Sequence, residues 1–300
     1  MGDVFIADHK KRSKTTIMTD AVQKKYRFQK YCVLFADVLN QAEKVDRLRD
    51  LPQDEAELPL YLENLHQTAG VIVTIAQAFK VNFDELDQIT QRLTKTPEKF
   101  KKYFDTHTRL PIFRQLFSDC MLYYVPLQNE KEQCVEWAIY KMLVASYNVW
   151  LYALETGNPL RGAITLGYAG IFGENGLYGP ALLDAYKIES NVAQYPRIVV
   201  ATEVVQELTA RANIPGIDIN LNMSAYFSKS CLELLTQDAD GLYVIDPLNS
   251  MYRDAHKEVR EKATQSVNNE LVRFLSRGDA KLAGRYQKLL RLLSSSKGTQ

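Results

Sequence analysis

Two aspartates stand where an unpaired charge would be costly. Asp37 lies within the apolar run 31–39, and Asp119 lies within the apolar run 113–125. Aromatic and β-branched runs of this kind predict strands that are buried on at least one face. A carboxylate in such a strand is costly unless it is paired, hydrogen-bonded or bound to a metal ion.

Two carboxylates on neighbouring strands would repel each other unless a cation lay between them. Such an arrangement is typical of two-metal phosphoryl-transfer sites. The alternative is that each aspartate only ends its strand or caps a helix, since aspartate is favoured at both positions. The residues alone leave both interpretations open.

The composition describes an ordinary globular chain. The 300 residues are 46% hydrophobic, which excludes global disorder. The net charge of +1 does not predict sequence-independent binding to nucleic acid. The four cysteines show no metal-ligand spacing, and a reducing cytoplasm suits them. We find no secretory signal and no apolar run long enough for a membrane span, so we expect a cytoplasmic protein with no membrane partner.

The order of predicted elements gives the fold class. It runs strand, helix, strand, turn, strand, helix, strand, which is the βαββαβ order of a ferredoxin-like α+β fold. Residues 52–108 read as mostly helical, with helix starts at Phe83-Asp84 and Thr96-Pro97. A long helix is expected over about 130–156 with Gly157 as its C-cap, and residues 251–294 read as amphipathic and helical.

Several motifs, taken in order, resemble the class III nucleotidyl cyclases. The first strand of that family carries Phe-x-Asp-Ile, and this chain has Phe35-Ala36-Asp37-Val38. The family's hairpin carries Gly-Asp, and Ser118-Asp119 stands in its place. A later Tyr-Gly followed by a helix ending in Lys-x-Glu matches residues 178–189. The resemblance covers roughly residues 28–200.

Within that family, three motifs are most similar to the pyrimidine cyclases of the bacterial Pycsar antiphage systems. They are Phe-Ser-Asp at 117–119, Arg-Gly-x-Ile at 161–164 and Gly-Pro-Ala-x-x-x-Ala-Tyr at 179–186. The resemblance implies a class III cyclase homology domain over 23–250 with a helical insertion at about 52–108. A flexible arm over 1–22 would precede it, and a helical extension with a disordered end would follow over 251–300.

The resemblance also implies a metal site. Asp37, Asp119 and the backbone carbonyl of Val38 would bind two Mn²⁺ or Mg²⁺ ions, while Phe35 would contact the nucleotide. Two hard carboxylates suit either of these ions.

Two basic residues match further positions of the family. Arg114 lies where purine cyclases keep a base-reading lysine, and its planar donor fork could read a pyrimidine carbonyl. Lys187 would hold charge in the transition state. The alternatives are that Arg114 is an outward strand residue and Lys187 an exposed helix residue.

The activity so implied is the conversion of UTP to 3′,5′-cyclic UMP and pyrophosphate. The family forms head-to-tail homodimers with composite sites, in which Asp37 and Asp119 of one chain would face Lys187 of the other. A separate effector protein would read the product during phage infection. Neither nucleic acid nor a membrane is an expected partner.

Other functions stay open. The substrate could be CTP, or ATP or GTP as in purine-specific class III enzymes, and a catalytically dead nucleotide-binding module is the non-enzyme alternative. Three positions depart from the family pattern: Asn40 and Ser118 replace glycines, and Leu183 stands where an asparagine would orient the ribose.

Overall fold

A computed structural model describes residues 28–92, 110–128, 134–173, 176–215 and 219–294. The expected N-terminal arm, the Thr96-Pro97 helix start and the last six residues lie outside these ranges. Among the described helices, none combines the length and the apolar character that a bilayer crossing requires.

The centre of the described fold is a sheet of eight strands. The strands are β1 (Gln29–Val38), β2 (Phe113–Phe117), β3 (Cys120–Pro126), β4 (Leu160–Phe172), β5 (Gly176–Tyr178), β6 (Ile198–Val200), β7 (Leu235–Gln237) and β8 (Tyr243–Ile245). In the order β2-β3-β1-β4-β6-β8-β7, neighbouring strands are antiparallel except for β4 and β6, and β5 pairs with the far end of β4.

Helices cover both faces of this sheet. They are α1 (Ala42–Asp46), α2 (Leu58–Leu65), α3 (Val71–Arg92), α4 (Val135–Glu155), α5 (Pro180–Lys187), α6 (Thr202–Ala212), α7 (Ile219–Glu233), α8 (Lys257–Ser276) and α9 (Ala280–Ser294). Single π-helical turns, His66–Gly70 and Ile188–Val192, join α2 to α3 and continue α5.

The alternation of side chains along β1 divides the core in two. Even-numbered residues such as Cys32 and Leu34 face the large core, which α3, α4 and α8 cover. Odd-numbered residues such as Val33 and Phe35 face a smaller core under α5. Since successive side chains point to opposite faces, Asp37 continues the odd-numbered face near the end of β1, where it is partly exposed.

The expected α+β fold with ferredoxin-like βαββαβ order is confirmed by β1, α3, β2, β3, α4 and β4, with the sheet order β2-β3-β1-β4. The expected C-cap at Gly157 is displaced by one residue: Thr156 caps α4, and Gly157 follows it with φ +72° and donates its N–H to the Leu154 carbonyl. A helix start at Phe83-Asp84 was wrong: both residues lie inside α3, where Asp84 pairs with Lys80 one turn earlier.

The C-terminal segment, residues 251–294, is not one continuous helix. It forms two helices, α8 and α9, which pack on each other. Gly278 has φ +70° and ends α8, while the Asp279 carboxylate accepts a hydrogen bond from the Leu282 N–H and opens α9. Helix α8 also packs on α4, so the hairpin α8–α9 belongs to the main core.

Candidate functional site

Strand register brings the two aspartates to one corner of the sheet. The Cα of Asp37 pairs with Cys120 on β3 and with Arg161 on β4. The next residue, Val38, donates its backbone N–H to the Asp119 carbonyl over 3.0 Å. Asp37 therefore stands at the end of β1 directly beside the turn that carries Asp119.

Two residues with left-handed backbone shape this corner. Ser118, in the β2–β3 turn, has φ +56°, and Asn40, after the end of β1, has φ +65°. Both are positions at which the cyclase pattern has glycine, the residue that adopts such angles without steric cost. Asparagine tolerates the conformation better than most residues, and both turns keep the left-handed geometry that glycine would allow.

Asp37 and Asp119 form a candidate cation site, and the thiol of Cys120 lies beside them. One ligand atom from each lies within 4.8 Å of the other two, and all three residues are partly exposed. The Cys120 Sγ lies 3.8 Å from an oxygen of each carboxylate. Burial, followed by the charges of Asp37 and Asp119, raises the pKa of the Cys120 thiol to about 12, so the group is a neutral weak donor. The two hard carboxylates fit Mg²⁺ or Mn²⁺.

The electrostatics of Asp37 suit a cation ligand. Burial raises its pKa to about 6, and the charges of Asp119 and Glu189 add to the rise. Arg161 opposes the rise, with its Nη2 3.4 Å from Asp37 Oδ2. The same guanidinium donates through Nε to Glu189 Oε1 over 2.6 Å. A divalent cation between the two aspartates would relieve their repulsion and favour the charged form of Asp37.

Sequence reasoning did not identify Arg161 and Glu189 as site residues. Each belongs to a motif that supports the cyclase resemblance, Arg161 to Arg-Gly-x-Ile and Glu189 to the end of the α5 region. The missing signal is spatial: Arg161 is the β4 partner of Asp37, and only the β1–β4 register shows this.

Within one chain, the side chains of Phe35 and Lys187 are not part of the group formed by the two aspartates and Cys120. Phe35 is buried one alternation before Asp37, and its ring meets Tyr186 of α5 edge to face at 5.6 Å. Lys187 is exposed at the end of α5. Neither side chain belongs to the cluster formed by Asp37, Asp119 and Cys120.

Arg114 lies on the other side of the sheet. It is exposed on β2 and interacts with the Tyr123 hydroxyl, on the sheet face opposite Asp37. Its neighbour Gln115 pairs with Leu122, whose side chain belongs to the smaller core, so Gln115 lies on the same face as Asp37. Within one chain, Gln115 is therefore better placed than Arg114 to face a ligand at the aspartates.

A cleft of about 800 Å³ opens beside the two aspartates. Its lining includes the end of β1, residues of α1 and, from the C-terminal part of the chain, the hairpin α8–α9. The site can therefore accept a ligand much larger than a metal ion.

No protein-family model matches the chain, and no curated protein sequence matches it. Among solved structures, one similar chain is the catalytic core of a rhodopsin-guanylyl cyclase with converted specificity, in complex with ATPαS. The identity is 12%, the TM-score is 0.34, and the alignment covers 73% of this chain and 96% of that one.

Proposed function

We propose that this chain is a nucleotidyl cyclase that converts UTP to 3′,5′-cyclic UMP and pyrophosphate. The observation that carries the proposal is that Asp37 and Asp119 lie close together at the open end of the smaller core, beside a cleft large enough for a nucleotide. The cyclase-like motifs occur in the same order along the chain, and two of them meet at one corner of the sheet.

In this mechanism the ribose 3′ oxygen attacks the α-phosphorus. The O3′–Pα bond forms, the bond from Pα to the bridging oxygen breaks, pyrophosphate leaves with the electron pair, and the hydroxyl proton passes to solvent. Catalysis of this kind depends mainly on positioning and on neutralising charge. Mn²⁺ or Mg²⁺ ions held by Asp37, Asp119 and the Val38 carbonyl would lower the pKa of the hydroxyl and neutralise the phosphates.

Within the chain, Arg161 keeps Asp37 in place through its bridge to Glu189. This bridge fixes the carboxylate before a cation arrives, so less ordering is needed on binding. Phe35 closes the smaller core under the reacting corner and would exclude water from the nucleotide.

A homodimer with composite sites is part of the proposal. The flank formed by α5 and the β4–β5 hairpin exposes several large apolar side chains, and a second copy would cover them. They are Tyr168, Phe172, Tyr178, Leu183 and Tyr186. Lys187 follows directly on this flank, from which it would reach the aspartates of the second copy.

The similarity to the Pycsar branch extends the proposal to a signal in antiphage defence, read by a separate effector protein. The base choice rests on the same similarity. CTP is the nearest alternative substrate, followed by ATP or GTP.

The test is turnover of UTP, CTP, ATP and GTP with Mn²⁺, with the products identified by mass spectrometry. Cyclic UMP as the main product supports the proposal. Cyclic CMP or a cyclic purine nucleotide as the main product would show a cyclase with a different substrate. If none of the four triphosphates gave a cyclic product, the chain would be a nucleotide-binding module instead of an enzyme.

A further inference from the structure

The hairpin α8–α9 brings basic side chains to the cleft beside the aspartates. Arg273 lies in the last turn of α8 and Arg277 caps its end. Lys44 and Arg47 line the same cleft from α1 and the residue that follows it. Two segments far apart in sequence thus place four cations around one opening.

These cations are only partly neutralised. Arg273 pairs with Glu270 over 2.9 Å, and Lys44 donates to Asn158 Oδ1 over 3.2 Å. In the part of the chain that the structure describes, the guanidinium groups of Arg47 and Arg277 have no ion-pair partner. Burial lowers the pKa of Lys44, and the nearby Arg47 and Arg273 lower it further against the effect of Glu270. The cluster carries repulsion that a bound anion would relieve.

A buried amide at the same cleft also lacks a partner. Gln41 is 1% exposed and lines the cleft, and neither its Oε1 nor its Nε2 has a hydrogen-bond partner among the described residues. A buried polar group without a hydrogen-bond partner destabilises the fold. A ligand in the cleft, or water held by it, would satisfy this amide.

The wall that carries the arginines is fixed to the corner that holds the aspartates. Asn40, just after β1, donates from Nδ2 to the hydroxyl of the buried Tyr286 of α9 over 2.9 Å. Leu271 and Phe274 of α8 lie in the main core. The hairpin therefore has a defined position relative to Asp37.

The charges of the lining suit a polyphosphate that arrives with divalent cations. The four basic residues face four acidic ones, which are Asp37, Asp119, Glu270 and Asp279. With divalent cations on the two aspartates, the cleft would carry a positive excess. A nucleoside triphosphate brings negative charge of the matching kind, and arginine is well suited to bind phosphate oxygens in pairs.

We propose that the C-terminal hairpin is a polyphosphate-binding wall, in which Arg273 and Arg277 act with Lys44 and Arg47 to hold the β- and γ-phosphates within one chain. This inference rests on the proposed function, because it takes the ligand to be a nucleoside triphosphate. It gives the C-terminal helices a role in substrate binding in addition to their packing.

The probe is inorganic tripolyphosphate, titrated calorimetrically into the full-length protein with and without Mn²⁺. Arg277→Gln and the double variant Arg273→Gln/Arg277→Gln are compared with Lys288→Gln, an exposed lysine of α9 that does not line the cleft. We expect about three- to tenfold weaker binding for Arg277→Gln and a larger loss for the double variant, because these side chains are partly solvated. Lys288→Gln should bind as wild type, and Arg277→Lys should recover part of the affinity.

Turnover separates this inference from the proposed function. If the arginine variants raise KM for the triphosphate more than they lower kcat, both stand. If no nucleotide is cyclised but tripolyphosphate affinity still depends on Arg277, the wall stands and the cyclase proposal falls. If turnover is normal and the double variant keeps wild-type tripolyphosphate affinity and KM, the wall is refuted.

Discussion

Arg161 Nη2 lies 3.4 Å from Asp37 Oδ2, and its Nε lies 2.6 Å from Glu189 Oε1. One guanidinium thus joins the candidate metal ligand on β1 to the helical segment that follows α5. The side chain is 17% exposed and the Glu189 carboxylate 4%, so this bridge is shielded from solvent. Arg161 supplies positive charge next to the aspartates before any metal ion binds.

Removing the Arg161 side chain should make the thermal stability of the protein depend more strongly on bound metal ions. In Arg161→Gln, Asp37 and Glu189 lose their cation, and we expect a lower Tm without metal and a larger Tm increase with Mn²⁺ than in wild type. Arg211→Gln is the matched control, because Arg211 also bridges two carboxylates, those of Glu136 and Glu207, away from the site. An equal Mn²⁺ effect in wild type and Arg161→Gln would refute this role.

The pKa of Asp37 predicts a pH dependence of the metal-free protein. A carboxyl whose pKa rises to about 6 on folding binds more protons folded than unfolded, so stability falls as pH rises from the ordinary carboxyl pKa to about 6. The loss is at most about 3 kcal/mol, since one pKa unit corresponds to about 1.4 kcal/mol. With chelator present, the stability advantage of Asp37→Asn over wild type should grow as pH rises through this window and level off above it, in urea unfolding. A constant difference throughout would contradict the raised pKa.

Two variants on opposite faces of β2 test which side chain recognises the base. A guanidinium donates hydrogen bonds, and uracil offers acceptors at O2 and O4. If Arg114 reads the base, Arg114→Ala should lower kcat/KM for UTP by about tenfold to a hundredfold and reduce the preference for UTP over the other three triphosphates. Gln115→Ala is the comparison, since Gln115 lies on the face of Asp37. If only Gln115→Ala changes the preference among the four triphosphates, the Arg114 assignment is wrong.

Composite sites predict complementation between inactive chains. Asp37→Ala lacks a metal ligand and Lys187→Ala lacks the residue that each copy would give to the other, so a mixed dimer should keep one intact site. Mixing the two variants should restore part of the turnover, measured after subunit exchange is confirmed. No recovery would mean that the site lies within one chain or that Lys187 has no catalytic role.

The sequence was most informative where side-chain alternation and motif order agreed. The apolar runs around Asp37 and Asp119 predicted β1, β2 and β3, because buried strands leave few registers open. Helix α7 and strand β7 were missed: α7 has weak amphipathic character, and β7 has only three residues. The break between α8 and α9 depends on Gly278 and Asp279, which the hydrophobic pattern merges into one amphipathic run.

The composition of the site was harder to predict than its two aspartates. Arg161 reaches Asp37 only through the pairing of β1 with β4, and Asn40 meets Tyr286 across most of the chain. Such contacts join residues far apart in sequence, so neither local propensity nor hydrophobic periodicity predicts them. Domain boundaries and the roles of Lys187 and Arg114 stay predictions.

The most direct test of the cyclase proposal is turnover of UTP with Mn²⁺ by wild type, Asp37→Asn and Asp119→Asn. Asparagine keeps the size of each side chain and removes the charge that a divalent cation needs, so we expect folded variants with unchanged secondary structure and cyclic UMP formation reduced by at least about a thousandfold. Cys120→Ala serves as control, since its neutral thiol is not required as a ligand, and should stay active. Near wild-type production of cyclic UMP by either asparagine variant would contradict the two-metal site.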